Sequence, residues 1–326
     1  MTRTSFSGRT TALAAAILLA IAVATAHLRA QAVAPAAPRA PAAIASDSPG
    51  GRMLATIQAL TAPGMNGRAT GSPGGAKARA WIEARFAAIG VRPLVAAGYA
   101  HPFAFVTKGA ETMTGVNLVA VCPGTTPDGP VFVVSAHYDH LGVRNGQTYH
   151  GADDNASGVA MLLAVAEQCV KTPYTHTLVF AAFDAEEHGL QGAKAFLAAP
   201  PVPVDRIALD VNFDMVSRTD RREIYVAGPG RWPRLLPVLT TAAGGASITV
   251  KFGHDSGGGH DDWTTQSDHG EFHAAAIPFV YFGVEDHADY HQPTDTADKI
   301  APAFLDGVAA VVFSSLTALD RAPAFK

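Results

Sequence analysis

Cysteine is almost absent: the 326 residues contain two, Cys122 and Cys169. That is too few for a thiolate zinc cage, so any metal held here must use histidine and carboxylate. Export would permit the two to pair, and one possible pair leaves the geometry open. A basic stripe is missing as well. Lys and Arg number 24 against 28 Asp and Glu, a formal net charge of −4. Such a chain is a poor candidate for nucleic-acid binding, which needs clustered cations. There is no internal repeat, no helix-borne H-E-x-x-H pair and no convincing second domain.

Long apolar runs are scarce too. One uncharged stretch, residues 10–26, follows Arg3 and Arg9, and it is just short of the roughly 18 to 20 residues a spanning helix needs. Small residues follow at Ala24-Thr25-Ala26 and around Ala30-Gln31-Ala32. Residues 1–30 therefore read as a cleaved secretory signal peptide, with a membrane anchor as the rival. No cysteine lies near the exit, which excludes lipid attachment to one there. Cleavage would remove three arginines and no acids, moving the net charge from −4 to −7. Residues 31–50, rich in Ala and Pro, read as a linker, and 51–321 as one folded domain. The expected location is the periplasm or the exterior, with no stable membrane partner after cleavage.

What is present is alternation. Continuous apolar runs at 131–136, 177–183, 207–213 and 279–282 read as strands buried on both faces. Shorter strand-like segments lie near 101–106, 116–122, 224–227 and 248–252. Helices are expected at 52–60, 73–89, 156–169, 191–198, 233–243 and 303–319, the second opened by Ser72-Pro73 and closed by Gly90. The fold class is α/β: a single three-layer αβα domain with a mostly parallel, mixed central sheet.

Ligands of such sheets bind beyond the carboxyl ends of the strands. Acidic residues and histidines recur there. The 131–136 strand delivers His137 and Asp139, which point the same way at i and i+2. That suits a metal-bound imidazole steadied by a carboxylate. Asp154 opens the next helix, Glu186 and Glu187 follow the 177–183 strand, Asp214 ends the 207–213 strand, and His291 comes later. Each segment alone also describes a solvated acidic turn. Together, His137, Asp154, Glu187, Asp214 and His291 suit two zinc ions sharing one carboxylate, with a position left for water. Two such ions would balance three carboxylates and a hydroxide. Without metal the carboxylates would repel one another and raise their own pKa values. Glu186 and Glu187 diverge, so one can ligate while the other serves as general base. Ligand type leaves cobalt and manganese open beside zinc.

Five segments in order, His137-Tyr-Asp139, Gly151-Ala-Asp-Asp154-Asn-Ala-Ser-Gly158, Asp184-Ala-Glu186-Glu187-His-Gly-Leu, Asn212-Phe-Asp214-Met and Tyr290-His291-Gln-Pro-Thr-Asp295-Thr, resemble the motifs of the M28 family of zinc aminopeptidases. Ser267-Asp-His269 before a helix, and the helix after Ser72-Pro73, also fit. The resemblance covers roughly residues 50 to 320. It implies a secreted di-zinc exopeptidase acting on peptides with a free N-terminus. It makes Asp154 the bridging carboxylate, with His137 and Asp214 completing one zinc site and Glu187 and His291 the other. Glu186 becomes the general base and Asp139 the partner of His137. Tyr290 could donate to the developing oxyanion, with core packing as an equal alternative. The Asp154-Asn155 bond is expected to be cis.

Two relatives within the resemblance are alternatives. Glutaminyl cyclases use related motifs with one zinc and form a ring; non-catalytic relatives keep the fold and lose the metals. The complete ligand set favours the hydrolase. A separate segment, His254-Asp255-Ser256-Gly257-Gly258, is similar to the nucleophile loop of trypsin-like serine proteases, with Ser135-Ala-His137 as a histidine segment. That fold is all-β, and this chain alternates. Residues 253–268 read instead as a Gly-rich lid or pocket rim, with His254, His260 and Asp261 as candidate substrate contacts.

Overall fold

The computed structural model describes residues 47–95, 98–257 and 261–325. The expected signal peptide, most of the linker and His260 lie outside them. Two helices lead, α1 (Pro49–Leu60) and α2 (Pro73–Ile89). Both begin at Ser-Pro. The Ser48 and Ser72 hydroxyls accept hydrogen bonds from Gly51 N (3.1 Å) and Gly75 N (3.0 Å), satisfying amides the first turn leaves free. Gly90, at φ 94°, closes α2 in the left-handed region.

The rest follows as β1 (Arg92–Pro93), β2 (Ala100–Val106), β3 (Thr112–Cys122), β4 (Val131–His137), β5 (Val143–Arg144), β6 (Gln147–Thr148), α3 (Gly158–Lys171), β7 (Thr177–Phe183), α4 (Gln191–Ala198), β8 (Ile207–Phe213), β9 (Glu223–Ala227), α5 (Leu235–Ala243), β10 (Thr249–Phe252), α6 (His269–Ala274), β11 (Phe279–Gly283) and α7 (Pro302–Arg321). Nine strands form one sheet in the order β1-β3-β7-β4-β8-β11-β9-β10, with β2 also on β3. Its centre, β7-β4-β8-β11, is parallel. The β1, β2, β3 flank is antiparallel, and β9 runs against β11. The sheet is therefore mixed, and its parallel part is the part that carries the continuous apolar runs.

Those runs divide by parity. Phe132, Val134, Ala136, Leu178, Phe180 and Ala182 face the large core beneath α1, α2, α3, α5 and α7. Val131, Val133, Val179, Ala181 and Phe183 face Phe196 of α4 and Phe272 of α6. Three layers result, and each fully buried large apolar side chain contributes about 1.5–3 kcal/mol. Helix α7 is long and apolar enough to cross a membrane by composition. Its Leu305, Val308, Val312, Leu316 and Leu319 are instead buried, with α1, α3 and α5 as neighbours.

Helix α1 starts at Pro49, inside the stretch expected to be linker. A Cβ on Gly50 would lie 2.2 Å from Pro302 O, so this glycine permits a close crossing of α1 and α7. Cys122 at the end of β3 and Cys169 in α3 form a disulfide, Cα–Cα 6.5 Å, closing a separation of 47 residues.

Candidate metal centre

Because β7, β4, β8 and β11 are parallel, their carboxyl ends meet at one edge, and the chain turns there with its charged residues. His137 is the last residue of β4. Its Nε2 lies 3.4 Å from Asp214 Oδ1, 3.5 Å from Asp154 Oδ1 and 4.0 Å from Glu186 Oε2. Asp154 turns its other oxygen the opposite way. Oδ2 is 3.0 Å from His291 Nε2 and 3.7 Å from His140 Nδ1. Glu187 reaches the same two histidines, Oε1 at 2.7 Å from His140 Nδ1 and Oε2 at 3.5 Å from His291 Nε2. One carboxylate thus faces two clusters.

The backbone that aims Asp154 is tightly specified. Gly151 takes φ 59°, and a Cβ there would come within 2.1 Å of Asp154 O. The Asp154-Asn155 peptide is cis. Asp295 accepts from Asp153 N and Asp154 N at 3.0–3.1 Å. Asn155 Nδ2 donates to Phe213 O (2.9 Å), which ties this turn to the end of β8 just before Asp214. Below it, the buried Arg68 donates to four main-chain oxygens, those of Tyr138, Leu60, His150 and Gly151. Burial lowers its pKa to about 10, opposed by Asp154, Asp295, Asp139 and Glu187, so it remains a cation under the acidic cluster.

Asp139 divides its duties. His137 Nδ1 lies 3.2 Å from the Asp139 main-chain oxygen and 3.7 Å from carboxylate Oδ1. The carboxylate also accepts from Glu186 N (3.1 Å) and Glu187 N (3.3 Å), so it holds the turn that carries both glutamates. Asp184, at the start of that turn, accepts from Val116 N, Thr70 Oγ1 and Tyr138 Oη.

The electrostatics follow from like charges in a dry place. Burial pushes Glu186 well above the usual carboxylate range, with His137 opposing and Asp214 reinforcing the shift. Burial raises Glu187 as well. For His137, burial favours the neutral ring, but Asp214 and Glu186 outweigh it and hold the pKa well above that of a free histidine. Burial also disfavours charge on Asp214, yet attraction to His137 brings its pKa down. The mutual elevation expected of a metal-free cluster therefore falls on the glutamates, while Asp214 is relieved by an imidazolium.

The donor set fits divalent metal. His137, Asp154 and Asp214 form one group of convergent ligand atoms, and His140, Asp154 and Glu187 a second. Asp214 Oδ1, Glu187 Oε1 and both His140 nitrogens are buried without a hydrogen-bond partner among the described residues. Buried polar atoms are rarely left so; a cation in each group would account for Asp214 Oδ1, Glu187 Oε1 and one His140 nitrogen, and leaves the other His140 nitrogen unexplained. A cleft of about 450 Å³ opens over the cluster, with Met215, Trp263, Tyr281, Val284, Asp286 and Tyr290 in its wall.

All five proposed ligands, Glu186 and Tyr290 face this cleft or its floor, and Tyr290 stacks on His291 with ring centroids 4.0 Å apart. The 253–268 loop contributes Trp263, Thr265 and Gln266 to the wall. His254 is engaged elsewhere, stacked on Trp263 and 3.2 Å from Glu285. Asp255 accepts from Gly230 N (2.7 Å), which holds the turn after β9. Sequence reasoning passed over His140, Arg68 and Asp295 as contributors. A second histidine three residues after His137 was the available signal for the first. Arg68 had none, because its four acceptors come from three separate segments.

The peptidase family M28 model matches residues 117–316, well over half of the chain. Aminopeptidase YwaD of Bacillus subtilis is 28% identical over 229 residues, covering 64% of this chain and 46% of its own. The chain spans less than half the length of such curated relatives. Among solved structures, an aminopeptidase from Aneurinibacillus sp. strain AM-1 superposes with TM-score 0.68 at 20% identity, covering 85% of this chain and 95% of that one. A Bacteroides thetaiotaomicron glutaminyl cyclase gives TM-score 0.63 at 14% identity, over 82% and 97%. At these identities the two structures establish a shared fold. The family match carries the remaining step: the chain belongs to peptidase family M28.

Proposed function

We propose that this protein is a zinc-dependent aminopeptidase, removing the first residue from peptides with a free N-terminus. The observation that carries the reading is Asp154, whose two oxygens face two separate ligand groups. His137 and Asp214 would complete one zinc site, Glu187 and His291 the other. Bound there, zinc would supply an acidified water and polarise the scissile carbonyl. Glu186, on the cleft wall, takes the water's proton and later returns it to the leaving amine. Burial and the nearby carboxylates hold the Tyr290 pKa above its ordinary value, which keeps its hydroxyl available to donate to the carbonyl oxygen as charge builds. Asp139 fixes the backbone of Glu186 and Glu187. Asp154, Glu186 and Asp286 give the cleft an acidic lining that favours a substrate ammonium group.

The same reading places the folded domain, whose first helix starts at Pro49, outside the cytoplasm. The basic-apolar start of the chain and the Cys122–Cys169 disulfide support export.

The test is hydrolysis of aminoacyl anilides with free amines beside N-acetylated counterparts, before and after chelation and zinc return. Cleavage of the free-amine set alone, lost with chelator and restored by zinc, is expected. Folded, zinc-loaded protein that cleaves neither set would overturn the reading. The shared fold with a glutaminyl cyclase makes cyclisation of N-terminal glutamine the next assay in that case.

A further inference from the structure

His140 stands three residues beyond His137, on the far side of Asp154, and the aminopeptidase reading gives it no role. Its side chain is completely buried. Nδ1 lies 2.7 Å from Glu187 Oε1, close enough for a hydrogen bond. Yet among the described residues neither atom has a partner in bonding geometry, and His140 Nε2 has none either. Two polar atoms that touch without bonding are aimed past each other, toward a common point. Asp154 Oδ2 lies 3.7 Å from the same nitrogen, and His291 Nε2 is 3.0 Å from that oxygen. Donors of His140, Asp154 and Glu187 therefore converge, and His291 adjoins them through the Asp154 and Glu187 carboxylates.

The ring is also held in place. A Cβ on Gly151 would come within 2.5 Å of His140 Cδ2, so only glycine leaves the imidazole its space. Arg68 fixes the chain on both sides of it, bonding Tyr138 O at 3.0 Å and Gly151 O at 2.9 Å. His291 is less confined: stacked on Tyr290, its side chain is 37% exposed, on a residue with φ 52°.

We propose that His140 is a metal ligand through Nδ1, joining Asp154, Glu187 and His291 in a four-residue site beside the three-residue site of His137, Asp154 and Asp214. The two sites are then unequal by construction. The His140 site offers two imidazoles and retains a buried one whenever the exposed His291 swings away. It fills first, holds its ion longer, and prefers nitrogen-seeking ions such as zinc over manganese. The His137 site keeps the exchangeable ion beside Glu186.

This inference rests on the metal-binding part of the proposed function and goes beyond its five ligands. A hydrogen-bonding role for His140, orienting Glu187 from outside the metal, is the competing account. Affinity alone does not separate them, because loss of an outer-shell partner also weakens metal binding, by about 10–100-fold. The imidazole count does.

The mature protein, freed of metal and reloaded with one and then two equivalents of zinc, would be examined by zinc X-ray absorption. The inference expects two imidazoles on the first zinc and three over both. The hydrogen-bonding account gives one on each ion, and that result would overturn the inference while leaving two bound ions and peptidase activity in place. No zinc bound by folded wild-type protein would overturn the metal reading itself. The variant His140→Gln should lose one imidazole from the first zinc and weaken its binding by more than 100-fold in equilibrium competition. An unchanged count in folded H140Q would count against His140. If H140Q does not fold, the wild-type count alone decides.

Discussion

The two ends of the parallel strands are made of the same sheet and behave oppositely. At the end where β7 begins, most polar groups satisfy one another, Tyr174 Oη being the exception among the described residues. Asp320 of α7 accepts from Thr175 N, His176 N and His176 Nδ1 at 2.8–2.9 Å. The His176 ring stacks on Phe132 with centroids 4.3 Å apart, and the Cys122–Cys169 disulfide lies close by in the sheet, where Cys122 pairs with Leu178. At the opposite end, five carboxylates line a cleft, with Glu187 Oε1 and Asp214 Oδ1 buried and unpartnered among the described residues, and Ala185, Met215 and His291 take positive φ. Each such residue costs roughly 1–3 kcal/mol. One end is arranged for stability; the other carries like charge that metal ions would offset.

Removing the shared carboxylate should break the comparison most completely. Asp154→Ala deprives both ligand groups of a donor, so metal content and turnover should fall together, turnover by roughly 10³-fold or more. A variant that keeps two tightly bound ions would contradict the bridging arrangement. Glu186→Gln should separate the two effects: turnover falls by about 10²–10⁴-fold, the range of a lost general base, while metal content stays. The paired measurement is zinc per chain by atomic absorption beside kcat on a free-amine anilide.

Filling the cleft should erase part of the difference between the ends. If zinc binds only the folded chain, stability rises by about 4 kcal/mol at a thousandfold excess of zinc over its Kd. Calorimetry with zinc and with chelator checks this. Equal Tm values in the two would remove metal from the account of the charged end.

How far this asymmetry was legible depends on how local its causes are. The central strands announced themselves because both faces of β4 and β7 are buried, so every residue is apolar or small up to His137 and Phe183. The residues after them were legible for the same reason: a charged turn after such a run has to lie at the sheet's edge. The start of α1 was misplaced because Pro49-Gly50-Gly51 looks like linker, and only the distant Pro302 explains why glycine is needed. The six-residue α6 is too short to show periodicity on its own; the Ser267-Asp-His269 motif was its only cue. Asp139 was foreseen as a neighbour of His137, but its bonds to Glu186 N and Glu187 N depend on β7 lying beside β4. Arg68 was invisible as a contributor because its partners converge only in the folded chain, and His140 left one cue, its place three residues after His137.

Cutting the covalent tie should weaken the satisfied end and leave the charged end alone. Replacing Cys122 and Cys169 by serine releases a loop of 47 residues, which the chain-entropy account values at about 4 kcal/mol. Denaturant unfolding should show a loss of that order, with kcat unchanged in the variant that remains folded. A large fall in kcat at full zinc loading would mean that the two ends are coupled through α3.

Asp320 sharpens the comparison most finely, because its pH response should be opposite to that of the cleft glutamates. Burial raises its pKa, but bonds from His176 and Thr175 outweigh that and leave it lowered. A carboxylate with a depressed folded pKa adds stability that is fully present above its unfolded value, about 3.9. That stability is lost as pH falls through the folded value. In metal-free protein, Asp320→Asn should therefore cost about 1 kcal/mol near neutrality, and the gap from wild type should close as the pH drops below about 4. Glu187, raised by burial, has the other sign: ionising it as pH rises from its unfolded value through its folded value destabilises the metal-free fold. Urea titrations of metal-free wild type, D320N and Glu187→Gln across the acid range separate the two slopes. A D320N gap that persists undiminished at pH 2 would show that this end is held by the packing of α7 rather than by its charge.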